Sequence, residues 1–178
     1  MDKKLQLTAI TICTVSLALV GYTIDANAAA YVKFDGVDGE STDAKHKEWI
    51  DVLSFSHSIH RGDSGSSVRS AAGAVFEDIV ITKELDKSST KLAESIAMGE
   101  VIPKVEFELT SSAGTYYKYE LTNVMVTSYS VSGDSDDRLT EQISLNFEEI
   151  KTTYTEYGSD GSNKGNVETT WNVEKGTK

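Results

Sequence analysis

Only one cysteine stands in the 178 residues, Cys13, and it lies near the N-terminus, so the rest of the chain can form no internal disulfide and offers no thiolate cluster. Histidines are almost as scarce. His57 and His60 are three apart, which turns them to opposite faces of a strand, and His46 stands alone. No zinc shell can be assembled from them, and each reads as a surface or rim histidine. Positive charge is also short: 17 Lys and Arg stand against 28 Asp and Glu, for a net charge of −11 spread along the chain. That balance keeps the molecule soluble and excludes a broad basic face for nucleic-acid phosphates or anionic lipid. No glycine-rich phosphate loop opens a helix, and no pair of carboxylates carries the context of an acid/base couple. What remains, 39% hydrophobic and 25% charged, is the composition of one ordinary globular core with an appendage.

The appendage is Met1 to Ala28. Lys3 and Lys4 precede a mostly apolar run from Leu5 to Val20, and polar residues then lead to the small-residue triplet Ala26-Asn27-Ala28. This is the three-part layout of a secretory signal peptide, with cleavage expected after Ala28. Gln6, Thr8, Thr11, Thr14 and Ser16 interrupt the run, which falls short of the roughly 20 apolar residues that span a bilayer. Two regions follow: 1–28 as an export segment and 29–178 as the mature domain.

From Ala29 the governing pattern is alternation of apolar and polar residues, which buries one face of a strand. Leu139, Ile143, Leu145 and Phe147 share a face that Glu141 alone interrupts. The apolar positions then move to Ile150, Thr152 and Tyr154, a change of parity that predicts a β-bulge near Glu148-Glu149. Val105, Phe107 and Leu109 alternate likewise, as do Tyr117, Tyr119 and Leu121, and Ser111-Ser112-Ala113-Gly114 between them predicts a hairpin turn. Further strands are expected at Tyr31 to Phe34, Glu48 to Ser58, Val75 to Lys83, Asn123 to Val131 and Asn166 to Val173. The fold class is therefore mainly β, a single barrel or two-sheet domain.

One segment departs from alternation. Ser88-Ser89-Thr90 offers N-cap hydroxyls, Leu92, Ala93, Ile96 and Ala97 recur at helical spacing, and Gly99 is placed to end the helix, with Pro103 restarting extended chain. One short flanking α-helix follows. The stretch His60 to Ala74, rich in Gly, Ser and Ala, has too few large apolar groups to bury itself and reads as a mobile loop unless a partner orders it.

Short strings inside that loop resemble functional motifs. Gly62-Asp63-Ser64-Gly65 matches the string around the nucleophile of trypsin-like proteases, but His57 lies too close in sequence, and the chain is too short, for that double-barrel fold. Arg61-Gly62-Asp63 is the integrin-recognised tripeptide, and three residues recur by chance. Asp134-Ser135-Asp136-Asp137 and Asp160-Gly161-Ser162-Asn163 lack the ligand register of a calcium loop and read as solvated turns. No enzyme, cofactor or metal is expected.

Phe34-Asp35-Gly36-Val37-Asp38-Gly39-Glu40-Ser41, Ile50-Asp51-Val52-Leu53-Ser54-Phe55-Ser56, Leu85-Asp86-Lys87-Ser88-Ser89, and Asp137-Arg138-Leu139-Thr140-Glu141 with Ser144-Leu145-Asn146-Phe147 occur in an order that resembles the hemolysin-coregulated protein family, Hcp. The resemblance runs from about Ala30 to Trp171. It implies a β-barrel with one flanking helix, hexameric rings, and rings stacked into the inner tube that type VI secretion expels. It also implies that His60 to Ala74 reaches toward a neighbouring ring, with Arg61, Asp63, Ser64, Val68 and Arg69 as stacking contacts. The helix Ser89 to Met98 would lie toward the lumen and present Lys91, Glu94 and Ser95. Partners by the same resemblance are further copies of the chain and the spike, sheath and effector proteins, with no nucleic acid and no membrane after cleavage. The N-terminal signal is a departure, because tube proteins of this family leave the cytoplasm through the secretion machine itself. A secreted protein is expected, periplasmic if the signal is used, and the alternative is an exported Hcp-like adhesin or binding module.

Overall fold

The computed structural model describes residues 28–61, 73–134 and 138–178. In chain order the elements are β1 (Ala29–Phe34), β2 (Ile50–Val52), β3 (Ser54–Ser56), β4 (Ile59–Arg61), β5 (Ala74–Phe76), β6 (Ile79–Glu84), α1 (Ser89–Met98), β7 (Val101–Ser111), β8 (Gly114–Ser132), β9 (Thr140–Tyr157) and β10 (Asn163–Asn172). The main sheet runs β2-β1-β7-β8-β9-β6-β3, antiparallel throughout. Its two outer strands are consecutive in the chain with only Leu53 between them, and the Leu53 N–H donates to the Thr82 carbonyl of β6 at 2.8 Å. The path therefore closes on itself as a barrel, which removes most of the free edges an open sheet would leave.

The expected single strand Glu48 to Ser58 is thus two short strands. Residue 53 is the corner at which the chain leaves β1 for β6, and its leucine is 58% exposed. Val75 to Lys83 divides in the same way into β5 and β6, whereas Tyr117 to Leu121 and Asn123 to Val131 merge into one strand, β8. The hairpin turn holds, with Ser111 paired to Gly114.

Inside the barrel Val32, Phe34, Ile50, Ile79, Ile81, Val105, Phe107, Leu121, Ile143 and Leu145 form one core, and Leu92 of α1 joins it. The helix rests on β8 and ends where expected: Gly99 takes the left-handed conformation with φ 63°, freeing the Glu100 N–H to reach back to the Ser95 carbonyl. Its start differs. Ser88 makes no side-chain cap, because its hydroxyl and amide both turn back to Asp86. Ala97 is exposed, and Ser89 and Ser95 take buried places beside Leu92 instead.

The parity change in β9 is real, but no extra residue makes it. Register between β8 and β9 is unbroken from Tyr117/Tyr154 to Val126/Leu145. The buried side moves in three neighbouring strands together: from Ile102 to Val105 in β7, from Leu121 to Val124 in β8, and from Phe147 to Ile150 in β9. The positions between them line up as a crease. Pro103 has no N–H to give the ladder, Asn123 adopts φ 50°, and the Asn123 amide donates to Glu148 at 2.6 Å. The bulge of the β8–β9 ladder lies one turn of pleat away, where Thr127 is extra between Val126 and Ser128.

Candidate functional site

Two features of this barrel can bind further protein, and one is an arm. Beyond β3 and β6 the hairpin continues as the separate two-stranded sheet β4–β5, with Ile59 paired to Phe76 and Arg61 to Ala74. Register slips by one residue between the two parts, from Ser56/Val80 to Ile59/Phe76, leaving Asp78 as the extra residue on the returning side. Asp78 is clamped there, accepting from the Thr127 hydroxyl at 2.5 Å and the Asn146 amide at 2.9 Å. The slip in the arm is thus bonded to the bulge in the barrel.

A short hairpin alone is marginally stable in water, so this arm must rest on something. It rests on aromatic rings. Phe76 packs against Phe147 and Trp171, with ring centroids 6.4 and 6.2 Å apart. His57, in the linker from β3 to β4, lies 6.3 Å from Phe76, 5.8 Å from Tyr119 and 5.8 Å from Phe147. Its Nε2 is buried with no hydrogen-bond partner, and burial pushes the ring's pKa below its ordinary value. Burial likewise pushes the Tyr119 hydroxyl up, with Tyr117 adding to the effect. Ile59 and Val75 meanwhile face solvent, 56% and 39% exposed. Arg61 is exposed at the arm's described end; Asp63, Ser64, Val68 and Arg69 lie outside the described residues.

The second feature is the edge of β10, which among the described strands pairs with β9 alone. On its surface Val167 sits opposite Tyr154, 72% and 47% exposed. Long unpaired edges with apolar side chains are templates for another strand.

On the helix, Lys91 and Glu94 are exposed and paired to one another at 2.7 Å. The hydrogen bond and charge of each partner raise the lysine's pKa and lower the glutamate's. Ser95 is 3% exposed, its hydroxyl donating to the Lys91 carbonyl at 2.9 Å. Ser95 is thus buried, unlike Lys91 and Glu94, with which it was expected to be presented on the lumen side.

Two buried polar clusters escaped the reading of the sequence. Lys83, 1% exposed, continues the inward row Ile79, Ile81, and its Nζ donates to Glu141 at 2.7 Å, to Asp86 at 2.8 Å and to the Glu84 carbonyl at 2.8 Å. The other Glu141 oxygen accepts from the Tyr129 hydroxyl at 2.7 Å; burial, with that bond and that charge, pushes the tyrosine's pKa up to about 12. Glu141, which interrupts an apolar face in sequence, is therefore half of a buried ion pair. His46 is the second case and corrects its assignment to the surface: at 3% exposure it stacks on Tyr31, 4.1 Å between centroids, with Nδ1 2.7 Å from Asp43 and Nε2 2.9 Å from Glu108. The Asp160 carboxylate accepts from the Ser162 amide and hydroxyl, the solvated turn expected there.

Among the described residues no histidine touches a hydroxyl nucleophile, and no group of side chains has the make-up of a metal site. No helix there is long and apolar enough to cross a membrane.

A protein-family profile described as "Type VI secretion system effector, Hcp" matches residues 31–154. The protein hcp1 of Pseudomonas aeruginosa is 32% identical over 151 residues, covering 80% of this chain and 93% of that protein. Among solved structures, one described as a type six secretion system protein superposes with a TM-score of 0.78 at 31% identity, covering 84% of this chain and 98% of its own. Hcp1 from Salmonella typhimurium gives 0.71 at 27% identity, covering 84% and 97%.

Proposed function

Because the chain belongs to the Hcp family of type VI secretion proteins, whose members are the structural subunits of the secretion tube, we propose that residues 29–178 assemble as hexameric rings that stack through the arm. The observation that carries this reading is the closed barrel with a projecting hairpin whose apolar side chains, Ile59 and Val75, face outward. A ring needs heterologous contacts that close, and a stack needs a second set that does not. The β10 edge is suited to the first and the arm to the second. The described part of the arm supports a contact role for Arg61, and the proposal extends it to Asp63, Ser64, Val68 and Arg69; on the helix it keeps Lys91 and Glu94 as lumen-side residues. Spike, sheath and effector proteins are the further partners. Such a subunit needs no catalytic pocket, so Ser64→Ala removes no hydrolytic activity.

The relatives support this tube role, not the exported adhesin. The leader is a separate matter. Cleavage after Ala28 leaves a chain whose first residue, Ala29, already opens β1 and pairs with Thr110. The barrel therefore loses no described strand when residues 1–28 are removed, so cleavage there would leave the proposed subunit whole. Light scattering coupled to size exclusion on residues 29–178, with electron microscopy, tests the assembly: rings with an open centre are expected, and a strict monomer at high concentration overturns it.

A further inference from the structure

The arm leaves the barrel on two linkers of unlike chemistry. On one, Asp78 is held by hydrogen bonds from Thr127 and Asn146, which tolerate any pH at which the carboxylate stays ionised. On the other, the contacts of the His57 ring among the described residues are rings: Phe76 from the arm, Tyr119 from β8 and Phe147 from β9. The neutral ring fits such a place, since one nitrogen can carry a bare lone pair toward the apolar side. The doubly protonated ring does not, because it would place an N–H with no acceptor, and a charge, among those rings.

We propose that His57 is an acid-sensitive latch: protonation expels its ring from between Phe76, Tyr119 and Phe147 and unseats the β4–β5 arm while the barrel stays folded.

The groups facing the latch leave it nothing to pair with. Burial pushes the Tyr119 hydroxyl's pKa up, so it offers no negative charge, and Phe76, Phe147 and Trp171 carry none. Asp78 is engaged with Thr127 and Asn146, and Glu77 points to the exposed His60 at 3.6 Å. Glu148, beside Phe147, is engaged by Asn123 and Asn172. No carboxylate among the described residues makes an ion pair with His57. Its pKa is lowered accordingly. A group whose folded pKa is depressed binds its proton more readily when released, so the docked arm is favoured above the ordinary histidine pKa and loses ground as pH falls below about 6.5.

The consequence for stacking rests on the proposed function, but the unseating itself does not. Hydrogen exchange of residues 29–178, read as protection factors at pH 7.5 and pH 5, tests it directly. Amides of Ile59–Arg61 and Ala74–Phe76 should lose several-fold, and at most about thirtyfold, in protection between the two pH values, while β1 and β7 keep theirs. His57→Phe should flatten that response, and His60→Gln should leave it intact. An equal loss in His57→Phe, or none in the natural sequence, overturns the latch. Should His57→Phe fail to fold, NMR titration of the His57 ring decides, and a midpoint at or above the free-histidine value overturns it. A chain that is monomeric at neutral pH yet shows the pH-dependent exchange would refute stacking and keep the latch.

Discussion

Lys83 and Glu141 give up their water entirely, and the return depends on completeness. Desolvating two ions costs several kcal/mol each, which their attraction offsets only if every remaining valence is met. Here Glu84, Asp86, Ser89 and Tyr129 meet them. Glu141→Gln leaves the ammonium with Asp86 as its one carboxylate partner among those described and should lower stability by about 1–3 kcal/mol, read from the urea midpoint. The triple change Lys83→Met, Asp86→Asn and Glu141→Leu should cost less than Lys83→Met alone, since only it removes the ammonium together with both carboxylates. Asp86 adds a pH dependence at the acid end. Burial raises its pKa, but the hydrogen bonds of Lys83 and Ser88 and the ammonium charge outweigh it, so the carboxyl ends below 3.8. Its contribution is whole above the unfolded value of about 3.9 and disappears as pH falls through the lower folded one. Acid titration of Asp86→Asn should show a shallower slope below pH about 4 than the natural chain.

Three strands change their buried side on one line, and a line across a sheet bends it. The crease at Pro103, Asn123 and Glu148 turns both ends of β7, β8 and β9 toward one core, which is how strands as long as β8 and β9 follow a barrel wall. Asn123 carries the conformational burden with φ 50°, a region where a β-branched side chain is strained by about 1–2 kcal/mol. Asn123→Val should therefore cost about 2–3 kcal/mol in urea unfolding, strain plus the lost bond to Glu148, whereas Asn123→Gly should cost under about 1 kcal/mol. Equal losses in both variants would place the importance in the hydrogen bond rather than the backbone.

At the scale of the molecule, barrel and arm have separable tasks. Among the described residues the core contains none of the arm except Phe76 at its margin, so shortening the connection between β4 and β5 should leave the barrel intact. Deletion of Ser64 to Ala72 should preserve the thermal midpoint and the ring while weakening ring-on-ring stacking in sedimentation; a deletion that unfolds the domain would make the segment structural. Intact mass of the protein from its native cell should correspond to a start at Ala29, and retention of Met1 would refute the signal peptide.

Alternation was enough to specify strands, because a period of two leaves only one face to bury. The order of family segments supplied the function. Glu141 and the step from Phe147 to Ile150 were visible as irregularities, yet their meaning depended on partners distant in sequence: Lys83 for the one, Asn123 and Pro103 for the other. His46 and His57 had no local signal at all. A lone histidine in sequence is neutral between rim and interior, and only the closed sheet, by bringing Glu108 to one ring and Tyr119 and Phe147 to the other, decided that the first is held by carboxylates and the second by rings. Local periodicity reports which side of a strand meets water; what a buried polar atom meets is decided by neighbours that only closure of the barrel brings together.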